Sequence, residues 1–134
     1  MPTEYIIYCD ESEERGAYYS NFFGGALVRA EHFEEVRSII GAKKAELNFH
    51  QEVKWTKVTE NYEGKYIALL DTVFDLIKAD KVKIRIMFTQ NRYVARGLTK
   101  RHIDEKYFIL YFQFIKHAFG LACSPILDGG VHLK

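Results

Sequence analysis

The feature that most constrains the fold is an apolar segment near the N-terminus, Glu4 to Cys9, which reads EYIIYC. Most of its residues are β-branched or aromatic, and apolar residues occupy both faces of the extended chain. A strand with one solvated face would alternate with polar residues, so the pattern predicts a strand buried at the centre of a sheet. After a polar turn, Tyr18 to Val28 is predicted to return antiparallel. Gly24 and Gly25 within it indicate a bulge or a close approach by another backbone or a ligand.

Three later segments have the apolar spacing of helices. The first runs from about Glu31 to Leu47 and is amphipathic, and the second runs from Tyr62 to Ile77 with Thr59 or Asn61 as its N-cap. The third, Ile103 to Leu121, is apolar nearly all round, which predicts burial on more than one side and Gly120 as its stop. Because one sheet face cannot cover so many aromatic rings, this helix also predicts a homodimer, or contact with a missing C-terminal half, that buries part of Phe108, Phe112 or Phe119.

Between the second and third helices, Val82 to Phe88 alternates strictly, with apolar residues at the even-numbered positions. This predicts a strand with one buried and one wetter face. The order is therefore β-β-α-α-β-α, and it predicts an α/β fold whose mixed sheet is flanked by helices, in a single domain over residues 1–134 with the first strand central. Val131 to Lys134 resembles the start of a further strand, so we expect the chain to be the N-terminal portion of a longer domain.

Composition excludes several classes of protein. The net charge is +1 and the sequence pI about 7.8, so any binding of nucleic acid requires a local basic patch. Cys9 and Cys123 have no metal-binding spacing and are predicted to be reduced structural thiols. The five histidines are scattered, which disfavours zinc. Without a signal peptide or an apolar run of about 18 residues, the expected location is the cytoplasm.

Asp10 and Glu11 are the first candidate site, because they follow the apolar first strand. Carboxylates held rigidly at the end of a strand suit hard divalent cations such as Mg²⁺ or Mn²⁺, which can activate water against a phosphodiester. One acidic pair is also what a solvated acidic turn contains. Spacing alone leaves both interpretations open.

Glu52 and Lys54 form the second candidate, in the segment EVKW that joins two predicted helices. A glutamate beside a lysine could supply a metal ligand and a phosphate contact. A surface ion pair with Trp55 as a hydrophobic anchor explains the same residues, and the sequence alone favours it.

The third candidate is a basic loop between Gln90 and His102 that carries Arg92, Arg96, Lys100 and Arg101 together with Tyr93. Cations interleaved with an aromatic ring suit a phosphate backbone and a stacked base. A solvated loop that precedes a helix would have the same composition.

Five segments, in this order, resemble a large bacterial family of uncharacterised proteins, domain of unknown function 3800. They are YIIYCDES, the double glycine of FFGGALV, the helix starting AEHFEEV, the Glu-x-Lys of EVKW and the helix beginning KYFILYF. The resemblance covers nearly the whole chain and implies a ribonuclease H-like fold. It implies that Asp10 is the acid of the first strand, and that Glu52 and Lys54 are secondary site residues.

The resemblance also implies a mobile-element or defence context. Ribonuclease H-like sites need a second strand-borne acid and an acid on a C-terminal helix, which we expect beyond Lys134. The sequence therefore predicts a metal-dependent nuclease with Asp10 and Glu11 as metal ligands. The alternatives are a non-catalytic module that binds nucleic acid or protein, and a structural protein that dimerises through the helix 103–121.

Overall fold

The computed structural model of the chain describes residues 3–12, 15–93 and 96–121. Three strands and four α-helices follow one another: β1 (Tyr5–Ser12), β2 (Tyr19–Arg29), α1 (Ala30–Glu46), α2 (Glu63–Lys78), β3 (Lys83–Gln90), α3 (Lys100–Asp104) and α4 (Lys106–Gln113). Compactness divides the chain into two units. The first comprises chiefly Ile7–Leu27 and Ile84–Lys134, and the second comprises Glu4–Ile6 and Val28–Lys83.

The three strands form one antiparallel sheet in the order β1-β2-β3. The predicted central position of the first strand is wrong for this sheet, because β2 lies in the middle and β1 at an edge. Hydrogen bonds show why: the backbone N–H of Asn91 donates to the carbonyl of Tyr18 at 2.9 Å, and the Thr89 hydroxyl donates to the carbonyl of Ser20 at 3.0 Å. These bonds tie β3 to the edge of β2 that β1 leaves free. The α/β class is confirmed, but a mixed sheet is not present among these strands.

Helices of the first unit pack against β2. Phe114 is fully buried, and its ring lies 6.4 Å from that of Phe23, centroid to centroid. Gly25 permits this packing, since a Cβ there would stand 3.1 Å from the Phe114 ring and 3.0 Å from the carbonyl oxygen of Tyr8. The predicted close approach at the double glycine is therefore confirmed at Gly25, while Gly24 faces open space.

The predicted single helix over residues 103–121 is wrong in its details. The helical segment begins earlier, at Lys100, where Thr99 and His102 form a reciprocal capping box. It breaks at Glu105, resumes as α4 and continues as a π-helical turn over Phe114–Ala118. Gly120 ends it with φ of 72°, as predicted, because glycine adopts this left-handed conformation without a steric penalty.

The second unit contains α1 and α2, whose bounds confirm the two amphipathic predictions within two residues. Buried Val36, Leu69 and Leu76 supply apolar faces, and the rings of Phe49 and Tyr66 meet edge to face at 4.9 Å. None of the helices in the described ranges is long and apolar enough to cross a membrane.

The predicted N-cap of α2 is wrong. Tyr62 occupies the N-cap position and makes no side-chain capping bond. The backbone carbonyl of Thr59 instead accepts hydrogen bonds from the N–H groups of Tyr62 and Glu63, at 2.9 and 2.8 Å. This turn satisfies donors at the helix start that a capping side chain would otherwise satisfy.

Candidate functional site

A cleft of about 390 Å³ opens in the first unit, within the size range of small-molecule sites. The end of β1, the start of β2 and the α3–α4 segment line it. The lining residues are Glu11, Ser12, Asn21, Phe22, Phe23, Ile103, Asp104, Lys106, Tyr107 and Leu110. The cleft therefore combines two carboxylates, one ammonium group, hydroxyl and amide groups and an apolar wall.

Glu11 is held at the cleft by a contact from α4. The Tyr107 hydroxyl donates to Oε1 of Glu11 at 3.3 Å. The Tyr107 ring in turn lies 5.4 Å from both the Phe108 and the Tyr111 rings and 6.2 Å from the Phe23 ring. These ring contacts orient the tyrosine, whose hydroxyl is the α4 donor to one oxygen of Glu11.

Asp10 is adjacent to Glu11 in sequence but is not part of the cleft lining. The first strand continues to Ser12 instead of ending before the acidic pair, so both residues lie within β1. Consecutive side chains on a strand point to opposite faces. Oδ1 of Asp10 accepts a hydrogen bond from the backbone N–H of Glu11 at 2.9 Å, so the exposed Asp10 braces the end of the strand.

The carboxylates influence the tyrosines on α4. Desolvation, followed by the charge and hydrogen bond of Glu11 and the charge of Asp10, raises the pKa of Tyr107 above its usual value. Desolvation, followed by the charges of Cys9 and Glu11, raises the pKa of Tyr111 to about 12. Both phenols are therefore neutral hydrogen-bond donors at physiological pH. Burial also raises the pKa of the Cys9 thiol, which disfavours a nucleophilic role.

The described residues offer few side chains that could bind a metal ion at the cleft. Within residues 3–12, 15–93 and 96–121, no group of three or more His, Cys, Asp or Glu side chains is arranged to hold an ion. Glu11 and Asp104 are the two carboxylate residues that line the cleft. Mg²⁺ in phosphoryl-transfer sites commonly uses one or two carboxylates and takes its remaining oxygens from water and substrate phosphates. The cleft lining contains two carboxylate residues, which is within that number.

Glu52 and Lys54 belong to the second unit, where they form an ion pair with 3.0 Å between Nζ and Oε2. Both side chains are more than half exposed. Trp55 opens a short 3₁₀ turn and is 87% exposed, so it does not act as a hydrophobic anchor. Of the two interpretations of Glu52 and Lys54, the structure shows the surface ion pair, without the hydrophobic anchor at Trp55.

The basic loop is shorter than predicted. Lys100 and Arg101 lie in α3, whereas Arg92 and Arg96 lie outside helices and strands and are exposed. Arg101 is engaged by Glu105, with Nε 3.1 Å from Oε2. Lys100 precedes Asp104 by four residues, one helical turn, which places it on the same side of α3 as that cleft residue.

Sequence reasoning missed the helical half of the cleft, notably Asp104, Lys106 and Tyr107. Ile103 on α3 and Tyr107 and Leu110 on α4 follow one another at steps of four and three, and all three line the cleft. That spacing was readable in the sequence, but it is also the spacing of ordinary core positions. Nothing in the sequence indicated that these helical residues lie close to Glu11.

Comparison with known proteins assigns the chain to no family: no protein-family model, no curated protein and no solved structure matches it.

Proposed function

We propose that the chain carries the first-strand part of a divalent-metal-dependent phosphodiester hydrolase, a nuclease of the ribonuclease H-like type. The observation that supports this function best is the position of Glu11, on a β-strand at a cleft that also contains Asp104 and Lys106. Carboxylates beside an ammonium group are the side chains that metal-assisted phosphoryl chemistry requires.

Glu11 and Asp104 are the residues that would hold the ion. Asp10 precedes Glu11 in β1, and its side chain points to the opposite face of the strand. When bound, Mg²⁺ or Mn²⁺ would supply charge neutralisation and an activated water. Lys106 would contact a phosphate oxygen as a point charge. Tyr107 would keep one Glu11 oxygen hydrogen-bonded, so that the carboxylate is oriented before a ligand arrives.

The nucleic-acid surface in this proposal consists of Arg92, Arg96 and Lys100, whose exposed cations can approach a phosphate backbone. Arg101 contributes less, because Glu105 already pairs with it. Glu52 and Lys54 are left out of the proposed metal site and serve as its internal comparison, since their mutual ion pair gives them a structural role without any ligand.

The experiment measures cleavage of single- and double-stranded DNA and RNA with Mg²⁺ or Mn²⁺ present and after chelation. We expect metal-dependent cleavage that Glu11→Gln and Asp104→Asn each reduce at least about tenfold, with a smaller loss in Asp10→Asn. Glu105→Gln is the matched control, because it alters a carboxylate of the same segment outside the cleft lining. Equal activity in Glu11→Gln and the parent chain would refute the proposed role of the cleft.

A second candidate is a non-catalytic binding module. The observation that favours it is the absence of any three-residue metal-ligating group within the described ranges. In this case nucleic acid binds with a salt dependence set by Arg92, Arg96 and Lys100, and chelation changes neither binding nor product formation. Binding without turnover, lowered by Arg92→Ala and unaffected by Glu11→Gln, would identify this function.

A further inference from the structure

The apolar face of β3 is open to solvent. Ile84, Ile86 and Phe88 lie at every second position of β3, and the intervening residues are Lys83, Arg85 and Met87; this spacing is typical of a strand that buries one face. The structure nevertheless leaves each of these three side chains 40% or more exposed, with Ile86 at 66%. The sequence predicts a buried face at this strand, and residues 3–12, 15–93 and 96–121 leave it largely exposed.

The open face extends across the sheet. On β2, the Phe23 ring packs against the Tyr111 ring of α4, whereas the neighbouring Phe22, which also lines part of the cleft, stacks on Phe88 with 5.3 Å between ring centroids. On β1, a Cβ at Gly25 would lie 3.1 Å from the Cys9 sulfur on the helix side, which directs Tyr8 to the opposite side. We name this surface the open sheet face, and its residues are Tyr8, Tyr19, Phe22, Ile84, Ile86 and Phe88.

The size of the open sheet face can be compared with that of a stable interface. Tyr8, Tyr19, Ile84, Ile86 and Phe88 are 40–66% exposed, and at roughly 200 Å² for a large side chain they leave about 500 Å² uncovered. A standard interface buries about 800 Å² per partner, of which about 56–65% is apolar. The five side chains therefore supply roughly the apolar share that one partner of a stable complex contributes.

Two other apolar patches of the described residues are smaller when the cleft residues are set aside. On α4, Phe108 and Phe112 supply about 260 Å². Ile103 and Tyr107 of the same helical segment are 62% and 47% exposed, but they line the cleft. The stripe on α2 formed by Ile67, Leu70 and Phe74 supplies about 300 Å². The predicted dimer through the helix 103–121 would use the α4 patch. Outside the cleft, the open sheet face therefore has the larger area for self-association.

We propose that the open sheet face binds a second copy of this chain, face to face, to form a homodimer. A net charge of +1 means that two copies do not repel each other strongly. The small residues Gly24 and Ala26 lie in the central strand beneath the rim of large side chains, and Gly24 has open space above it. Two such faces can interdigitate at the roughly 10 Å spacing of packed sheets.

The test measures mass by sedimentation or light scattering at rising protein concentration, for the parent chain, Ile86→Glu and the matched surface variant Phe108→Glu. We expect a dimer whose Kd rises by roughly a hundredfold or more in Ile86→Glu, as for a central interface residue, and changes little in Phe108→Glu. Ile86→Thr keeps a β-branched residue and should weaken the dimer in the same direction. Circular dichroism would show that all variants fold.

A parent chain that is monomeric throughout the concentration range would overturn the proposal, since some other occupant would then cover this face. A dimer disrupted by Phe108→Glu to the same or a greater extent than by Ile86→Glu would move the interface to α4. A dimer unaffected by both substitutions would exclude both surfaces. None of these outcomes depends on metal binding or cleavage.

Discussion

Replacing Gly25 with alanine should destabilise the protein, although alanine normally suits a strand better than glycine does. The added Cβ would stand 3.0 Å from the carbonyl oxygen of Tyr8, 3.1 Å from the sulfur of Cys9 and 3.1 Å from the ring of Phe114. The carbonyl oxygen of Tyr8 belongs to the backbone of the paired strand β1, and the Phe114 ring is fully buried. None of these three groups can move away without disturbing the packing of the helical segment on the sheet.

The neighbouring residue isolates this effect. A Cβ at Gly24 would meet no atom within 4 Å. Both substitutions reduce the freedom of the unfolded chain alike, which stabilises by about 0.4–1 kcal/mol. Their difference therefore measures the overpacking at Gly25, which costs about 1–3 kcal/mol in a packed core. We expect Gly25→Ala to lower the free energy of unfolding by roughly 0.5–2 kcal/mol and Gly24→Ala to raise it slightly.

Urea unfolding followed by circular dichroism measures the difference directly. With a slope of about 1–3 kcal/mol per molar urea, the midpoint of Gly25→Ala should lie about 1 M below that of Gly24→Ala. Equal midpoints, or a higher midpoint for Gly25→Ala, would show that the helical segment does not press on the sheet at this residue. The placement of the cleft's helical wall would then also be wrong.

Three further predictions concern the ionisable groups. Tyr107→Phe removes the donor to Glu11 and keeps the ring, so we expect the Kd for Mn²⁺ to rise about 2–10-fold by calorimetric titration, while Tyr111→Phe leaves it unchanged. The hydrogen bond from Lys81 lowers the pKa of Glu35, so the pair's contribution to stability is present above the usual glutamate pKa and is lost as pH falls through the lowered value. Urea unfolding should show Lys81→Met losing stability at neutral pH and matching the parent chain in acid, and a difference that persists in acid would contradict this. The pKa of Tyr111 is raised to about 12 in the folded protein, so its neutral form contributes stability that is complete below about pH 10 and is lost between about pH 10 and 12. We expect urea unfolding of Tyr111→Phe to lack this alkaline loss of stability. A pH profile identical to that of the parent chain would refute the prediction.

The sequence predicted helices and strands well where their periodicity was strong. The bounds of both helices of the second unit agree with the prediction within two residues, because apolar residues recur along them at steps of three and four. The third helical segment was less predictable. Its apolar residues surround the helix, so periodicity gave no sign of the break at Glu105 or of the π-helical turn that contains Phe114.

Strand order and the site depend on pairing between distant residues, which periodicity does not encode. The apolar run of β1 predicted a central strand, yet the polar contacts of Ser20 with Asn91 and of Asn21 with Thr89 join β3 to β2. Glu11 was identified from its strand, but Asp104, Lys106 and Tyr107 reach the cleft through the packing of α4 on Phe23. A single sequence contains no local signal of that packing.

Residue-resolved Mn²⁺ titration by NMR would locate a metal site in the cleft, because a bound paramagnetic ion broadens the signals of nearby nuclei. We expect the amide signals of Glu11, Asp104 and Tyr107 to broaden first, those of Glu52 and Lys54 to respond only at much higher concentration, and Glu11→Gln to abolish the early broadening. Broadening centred on Glu52, or early broadening that is identical in Glu11→Gln, would contradict the assignment of the cleft as the metal site.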